Sequence, residues 1–234
     1  QKSGYINNID NGFFACALFI GVVMAVFCSL FIGTEYSDGT IRNKVVIGQK
    51  RTSIYLSNLI ICALVSVVMC AAFFIAYLCI GIPLLGFFEM DIKQVLLFTL
   101  AVFVLAIAFA SIFTLISMLN HNKAITAVVC ILLAFLLLFA GAQFNKMLNE
   151  PETNMGLMMT DNGQEYQEIP NPNYLEGGER KVVQFLYDFV PGGQALQCVS
   201  LEANNITVLP AYSLIIIVLT TGFGVFFFKK KELK

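Results

Sequence analysis

The sequence predicts an all-α membrane protein, a polytopic bundle of five spanning helices, and three observations support this. Of 234 residues, 58% are hydrophobic and only 12% charged, with a mean hydropathy of +0.80. A soluble domain of this length has too little interior to hide that much apolar surface, so lipid must solvate much of it. The apolar residues gather into five stretches of roughly 20 or more, enough to cross ~30 Å of hydrocarbon at about 1.5 Å per residue. Finally, the loops between these stretches alternate in charge, as loops on opposite sides of a bilayer do.

Taken in order, residues 1–11 are a polar segment and 12–33 the first span. Residues 34–52 form a polar insert of mixed charge, followed by a second span over 53–82. That span is expected to stop near Gly81-Ile82-Pro83, because proline disfavours helix continuation. Residues 83–94 make a short turn and 95–119 the third span. Asn120-His121-Asn122-Lys123 is a tight turn, so the third span and the fourth, 124–146, should form an antiparallel hairpin. Ala106, Ala108, Ala110 and Ser111 suit either close approach of a neighbouring helix or a lipid-facing surface.

Residues 147–206 divide into two halves. From Glu150 to Gly178 the Pro, Gly, Asn and acidic content predicts an irregular loop. Val182, Val183, Phe185, Leu186 and Phe189 then recur at helical spacing. Pro191-Gly192-Gly193 should break that helix, with a second short one over Ala195–Leu201. Such a broken pair suits either a dip into the outer leaflet that closes a cavity or a surface helix covering the bundle. The fifth span is 207–228, and 229–234 is a basic tail.

Basic residues set the orientation. Arg42, Lys44, Lys50, Arg51, Lys123, Lys229, Lys230, Lys231 and Lys234 account for nine of the 14 Lys and Arg, and alternation places them on one side. That side carries only Glu35, Asp38 and Glu232 of the 15 acids, so it is expected to be cytoplasmic. The first residue then lies outside, and an additional span before Gln1 is expected, six in all.

The seven cysteines show no CxxC spacing, and His121 is the lone histidine, so a zinc site is not expected. Six cysteines fall in spans as small apolar packers, and Cys198 is expected to be external. There is no P-loop, catalytic triad or other enzyme motif. The spans carry no deep Asp, Glu, His, Lys or Arg, which argues against proton-driven transport. Backbone carbonyls could still bind sodium; the expectation is that energy for any transport comes from elsewhere.

The insert is the candidate route for it. Glu35 and Asp38 precede Arg42 and Lys44, acids first and bases later, as a helix dipole prefers. Ile41, Val45 and Gly48 share one face at helical spacing. Read from these residues alone, the segment is either a docking helix beneath the bundle or an amphipathic stretch bound to anionic headgroups.

Glu35-Tyr36-x-x-Gly39-Thr40-Ile41-Arg42-Asn43-Lys44, with Gly48, Arg51 and Ser53-Ile54-Tyr55-Leu56, resembles the cytoplasmic loop of ABC-2 type permeases. Asn171-Pro172-Asn173-Tyr174, Arg180 and Pro191-Gly192-Gly193-Gln194 add a weaker similarity to bacterial permeases of this kind. The resemblance implies a helical bundle of the ABC-2 exporter type, with a coupling helix that docks on an ATP-hydrolysing subunit. Glu35 and Tyr36 would cap and anchor that helix, Gly39 and Thr40 shape its turn, and Arg42, Asn43 and Lys44 face the ATPase. Asp38 and Gly48 belong to the same docking set, and Arg51 would anchor the next span.

It further implies a multi-pass subunit of a bacterial cell membrane, surrounded by lipid and paired with a second permease, identical or not. Cofactors would be absent from this chain, with ATP and Mg in the partner ATPase, and no nucleic acid is expected. The function expected is export of a hydrophobic or amphipathic peptide, lipid or drug. A sensor or immunity subunit that binds an extracellular peptide without net transport is the alternative, and an ion channel ranks third for want of a filter motif.

Overall fold

The computed structural model describes residues 8–160, 163–203 and 205–231. Eleven elements follow one another: α1 (Asp10–Phe13), α2 (Cys16–Ser37), α3 (Thr40–Val46), α4 (Arg51–Leu85), α5 (Ile92–Leu119), α6 (Lys123–Leu148), β1 (Thr153–Thr160), β2 (Gly163–Pro170), α7 (Gly177–Phe189), α8 (Pro191–Ser200) and α9 (Val208–Lys230). Helices α2, α4, α5, α6 and α9 are each long and apolar enough to cross a membrane. The protein is an all-α polytopic bundle to which one small hairpin is attached.

Helix α5 is the axis around which the bundle forms, packing against α2, α4 and α9. Ala106, Ala108, Ala110 and Ser111 are all fully buried, so these small side chains serve close packing and do not face lipid. Phe109 and Phe113 stack at 6.0 Å between ring centroids beside them. Helix α4 turns Leu64, Val68 and Ile75 outward, and α6 does the same with Leu132, Leu136 and Phe139. In lipid such faces need no further cover.

Several elements differ from the sequence expectation. Helix α2 runs on to Ser37, so Glu35 and Tyr36 occupy its last turn. Helix α4 passes Pro83 and ends at Leu85. Proline lacks only its own N–H, and the Gly86 amide, at φ +87°, closes the final turn onto the Ile82 carbonyl. Helix α6 packs chiefly on α2 and α8, and only slightly along α5, so the tight turn does not produce a closely packed hairpin.

The expected irregular loop is a β-hairpin. Strands β1 and β2 pair antiparallel from Thr153↔Pro170 to Thr160↔Gly163. Asn171 fixes its base, donating to Glu150 at 3.1 Å and to the Pro151 carbonyl at 2.9 Å. Beyond it, the helix breaks as expected: α7 ends at Phe189 and Val190 is extended. The second helix starts earlier than Ala195, with Pro191-Gly192-Gly193 as the first turn of α8, since proline at N1 sacrifices an amide that had no helical partner anyway. Gly192 lies against the Leu137 and Leu138 backbone of α6, about 16 Å along the helix from Leu148 at 1.5 Å per residue. Thus α8 dips among α2, α5 and α6, and Cys198, expected outside, is buried there.

Candidate docking site at one end of the bundle

Two glycines delimit α3. Gly39 ends α2 with φ +69°, its amide bonded to the Tyr36 carbonyl, and its own carbonyl accepts the first bond of α3 from Asn43. An added Cβ would meet nothing within 4 Å, so glycine is needed here for the left-handed backbone and not for space. Gly48, at φ +87°, closes the other end: its amide bonds the Val45 carbonyl while that of Gln49 bonds Lys44. This is the Schellman pattern, which satisfies the last carbonyls of a helix. Gly48 is therefore a terminator, not part of an apolar face.

Between these stops the motif residues divide into two groups. Ile41 is fully buried and Val45 half-buried against the core, fixing which side of α3 faces the bundle. Lys44 turns inward and donates to Glu35 at 2.6 Å, the only ion pair among the described residues. The second carboxylate oxygen of Glu35 accepts from the buried Asn58 amide of α4 at 2.9 Å. Glu35 thereby joins α2, α3 and α4. The expectation that Lys44 lies outward with its neighbours is corrected by this contact.

Tyr36 joins a second set. Its hydroxyl donates to the Met118 carbonyl at the end of α5, 2.6 Å away, and its ring meets His121 edge-on at 5.1 Å. Lys231, just past α9, donates to the Tyr36 hydroxyl at 2.8 Å and to the Met118 carbonyl at 2.9 Å. Burial lowers the Lys231 pKa to about 8. Arg51, the first residue of α4, donates to the Phe228, Lys229 and Lys231 carbonyls, and so caps α9 with a cation where the dipole favours one. Lys123 reaches from the start of α6 to the Thr34 hydroxyl at 2.7 Å.

The remaining motif residues are open. Arg42 and Asn43 are exposed, as is Asp38 at the α2 terminus, while Thr40 is half-buried. Beside them stand Val46 and Ile47, 77% and 74% exposed, which the sequence reading did not single out. They follow directly on Val45, but the Schellman turn swings them away from the bundle. Asn58 and Lys231 were also missed; an amide well inside an apolar span was the available signal for the first. An apolar groove of about 790 Å³ runs along α2 past Val22, Val26, Leu30 and Met69 to Glu35 and Asp38.

The site's distinguishing feature is a seven-residue helix tied by Lys44 to Glu35 of α2 and, through Glu35, to Asn58 of α4, while its outer edge stays uncovered. A family model described as ABC-2 family transporter protein matches residues 2–141, well over half of the chain and all of this site except its α9 contacts. The chain belongs to the ABC-2 transporter family. It is therefore a permease, a multi-pass membrane component of a transporter, of a kind that associates with an ATP-binding subunit. No curated protein and no solved structure matches this ABC-2 permease in the comparisons made.

Proposed function

We propose that this permease exports a hydrophobic or amphipathic substrate, a peptide, lipid or drug, using ATP hydrolysed by a separate subunit docked on α3. The α3 end would be cytoplasmic, as the clustering of basic residues there favours. ATP and Mg would be held by the partner, and a second permease subunit would complete the assembly. Arg42 and Asn43 are the polar contacts of the docking surface, and Val46 and Ile47 its apolar anchor. Glu35, Tyr36, Lys44 and Arg51 act behind them, passing a push on α3 to α2, α4, α5 and α9.

The observation that carries this reading is that division of labour within one short motif. A helix that merely lay on headgroups would gain nothing from an ion pair to Glu35 of α2 that is itself bonded to Asn58 of α4. Movement of α3 in this arrangement has a path into the bundle, with the groove along α2 as an apolar surface for cargo.

The test is co-purification with the ATP-binding subunit and ATP-dependent flux in inverted vesicles. Arg42→Glu with Ile47→Asp should release the ATPase and abolish flux while the permease stays folded. Retention of the ATPase by that variant would overturn the docking surface. Peptide binding without flux in the unaltered protein would favour the sensor reading.

A further inference from the structure

At the end of the bundle opposite α3, α6, α7 and α8 enclose a small polar cavity of about 150 Å³. Asn145 of α6, Arg180, Gln184 and Tyr187 of α7, Gln197 of α8, and Glu202 line it. Gln197 and Tyr187 are buried, at 1% and 6% exposure. Their positions are fixed: Tyr187 donates to Asn145 at 3.1 Å, and Gln197 donates to Asp188 at 3.0 Å and to the Tyr187 carbonyl at 3.4 Å. Gln184 also donates to Asp188, at 2.9 Å.

Two opposite charges border this cavity without pairing. Arg180 gives one N–H to the Leu148 carbonyl at 3.0 Å and lies 5.7 Å over the Tyr174 ring. Its other donors have no partner among the described residues. Glu202 follows Leu201, whose φ of +60° ends α8 and turns the chain, so that Glu202 borders the same space. Its carboxylate makes no hydrogen bond or ion pair among the described residues. A cation and an anion that border one concave site and stay apart present a fork for a carboxylate and an acceptor for an ammonium.

We propose that this cavity binds a small zwitterion, an α-amino acid, with its carboxylate on Arg180 and its ammonium on Glu202. The cavity of about 150 Å³ has room for a small amino acid. Tyr187, Gln184 and Gln197 supply neutral polar groups in the same lining. The α3 docking reading is not required, because the cavity lies at the other end of the molecule and its occupancy is read by binding alone.

The experiment uses the whole chain in lipid nanodiscs and equilibrium dialysis against radiolabelled glycine, alanine and serine, with acetate and methylammonium as competitors that each carry one charge. Saturable binding of at least one amino acid is expected, with neither competitor displacing it at equal concentration. Glu202→Gln should weaken binding by about tenfold, the worth of one charged hydrogen bond, without lowering the unfolding temperature. Arg180→Lys should weaken it too, since an ammonium cannot grip a carboxylate as a fork does. The proposal is overturned if none of the three amino acids binds saturably, if Glu202→Gln binds as well as the unaltered protein, or if acetate competes equally.

Discussion

The two ends of this permease are held by different chemistry. At the α3 end, long polar side chains reach between helices: Lys44 and Asn58 to Glu35, Lys231 to Tyr36, Arg51 to the α9 carbonyls. At the α8 end, side-chain bonds such as Tyr187 to Asn145 and Gln197 to Asp188 are joined by direct backbone contact between helices. Gly192 sits where an added Cβ would be 1.9 Å from the Leu137 carbonyl oxygen, and Gly141 where one would be 2.5 Å from Gly192. Side-chain tethers can lengthen, rotate and re-form, whereas a backbone contact has no slack. The α8 end adds to its side-chain bonds a contact that cannot give.

The sharpest break in that contrast is Gly192→Ala. The new methyl group meets main-chain atoms of α6 that cannot swing aside, so a loss of about 3 kcal/mol is expected, read as a fall in unfolding temperature in detergent. Gly222→Ala in α9 is the matched control, because nothing lies within 4 Å of its would-be Cβ. If both variants unfold alike, α8 is not packed against α6 as described.

Next in size is Glu35→Ala. It strands the Lys44 ammonium and the buried Asn58 amide at once, so about 1–2 kcal/mol should be lost, together with most ATP-driven flux. Glu35→Gln, which keeps a hydrogen-bond acceptor, should recover more of the stability than of the flux. Equal recovery of both would mean that the ion pair has no part in coupling.

A further effect separates the ends by pH. Burial holds the Lys231 pKa at about 8 in the folded protein, against a usual 10.5. Between these values the unfolded chain binds more protons than the folded one, so stability contributed by this group rises with pH across that window and is flat below it. Lys231→Gln should remove the rise, and a rise that persists in it would place the titration elsewhere. The smallest effect is expected of Arg42→Ala, whose exposed side chain holds nothing inside the permease: unfolding should shift by less than about 0.5 kcal/mol while the ATPase no longer co-purifies.

How far the sequence revealed these ends follows the same contrast. The spans were legible because hydropathy is a property of composition, and the motif of α3 because charged residues in an apolar chain stand out. The direction of Lys44 was not legible; it depends on two glycine-bounded turns that set the rotation of a seven-residue helix. At the other end, Pro191-Gly192-Gly193 was legible as a helix break, but not as the place where α8 meets the backbone of α6. Inside a bundle the same glycines are what allow helices to meet. The β-hairpin was missed although Asn162-Gly163 is a strong hairpin signal, because acids and glycines on either side resemble an open loop.

The clasp of Arg51 on the α9 carbonyls has a consequence for how the molecule is born. The guanidinium is synthesised 177 residues before the Phe228 carbonyl it will hold. Four of the five long helices must therefore enter the bilayer while that grip is still empty. A nascent chain halted before α9 would already hold α3 against α2 and α4, but with the Arg51 guanidinium still lacking the carbonyls it is to cap.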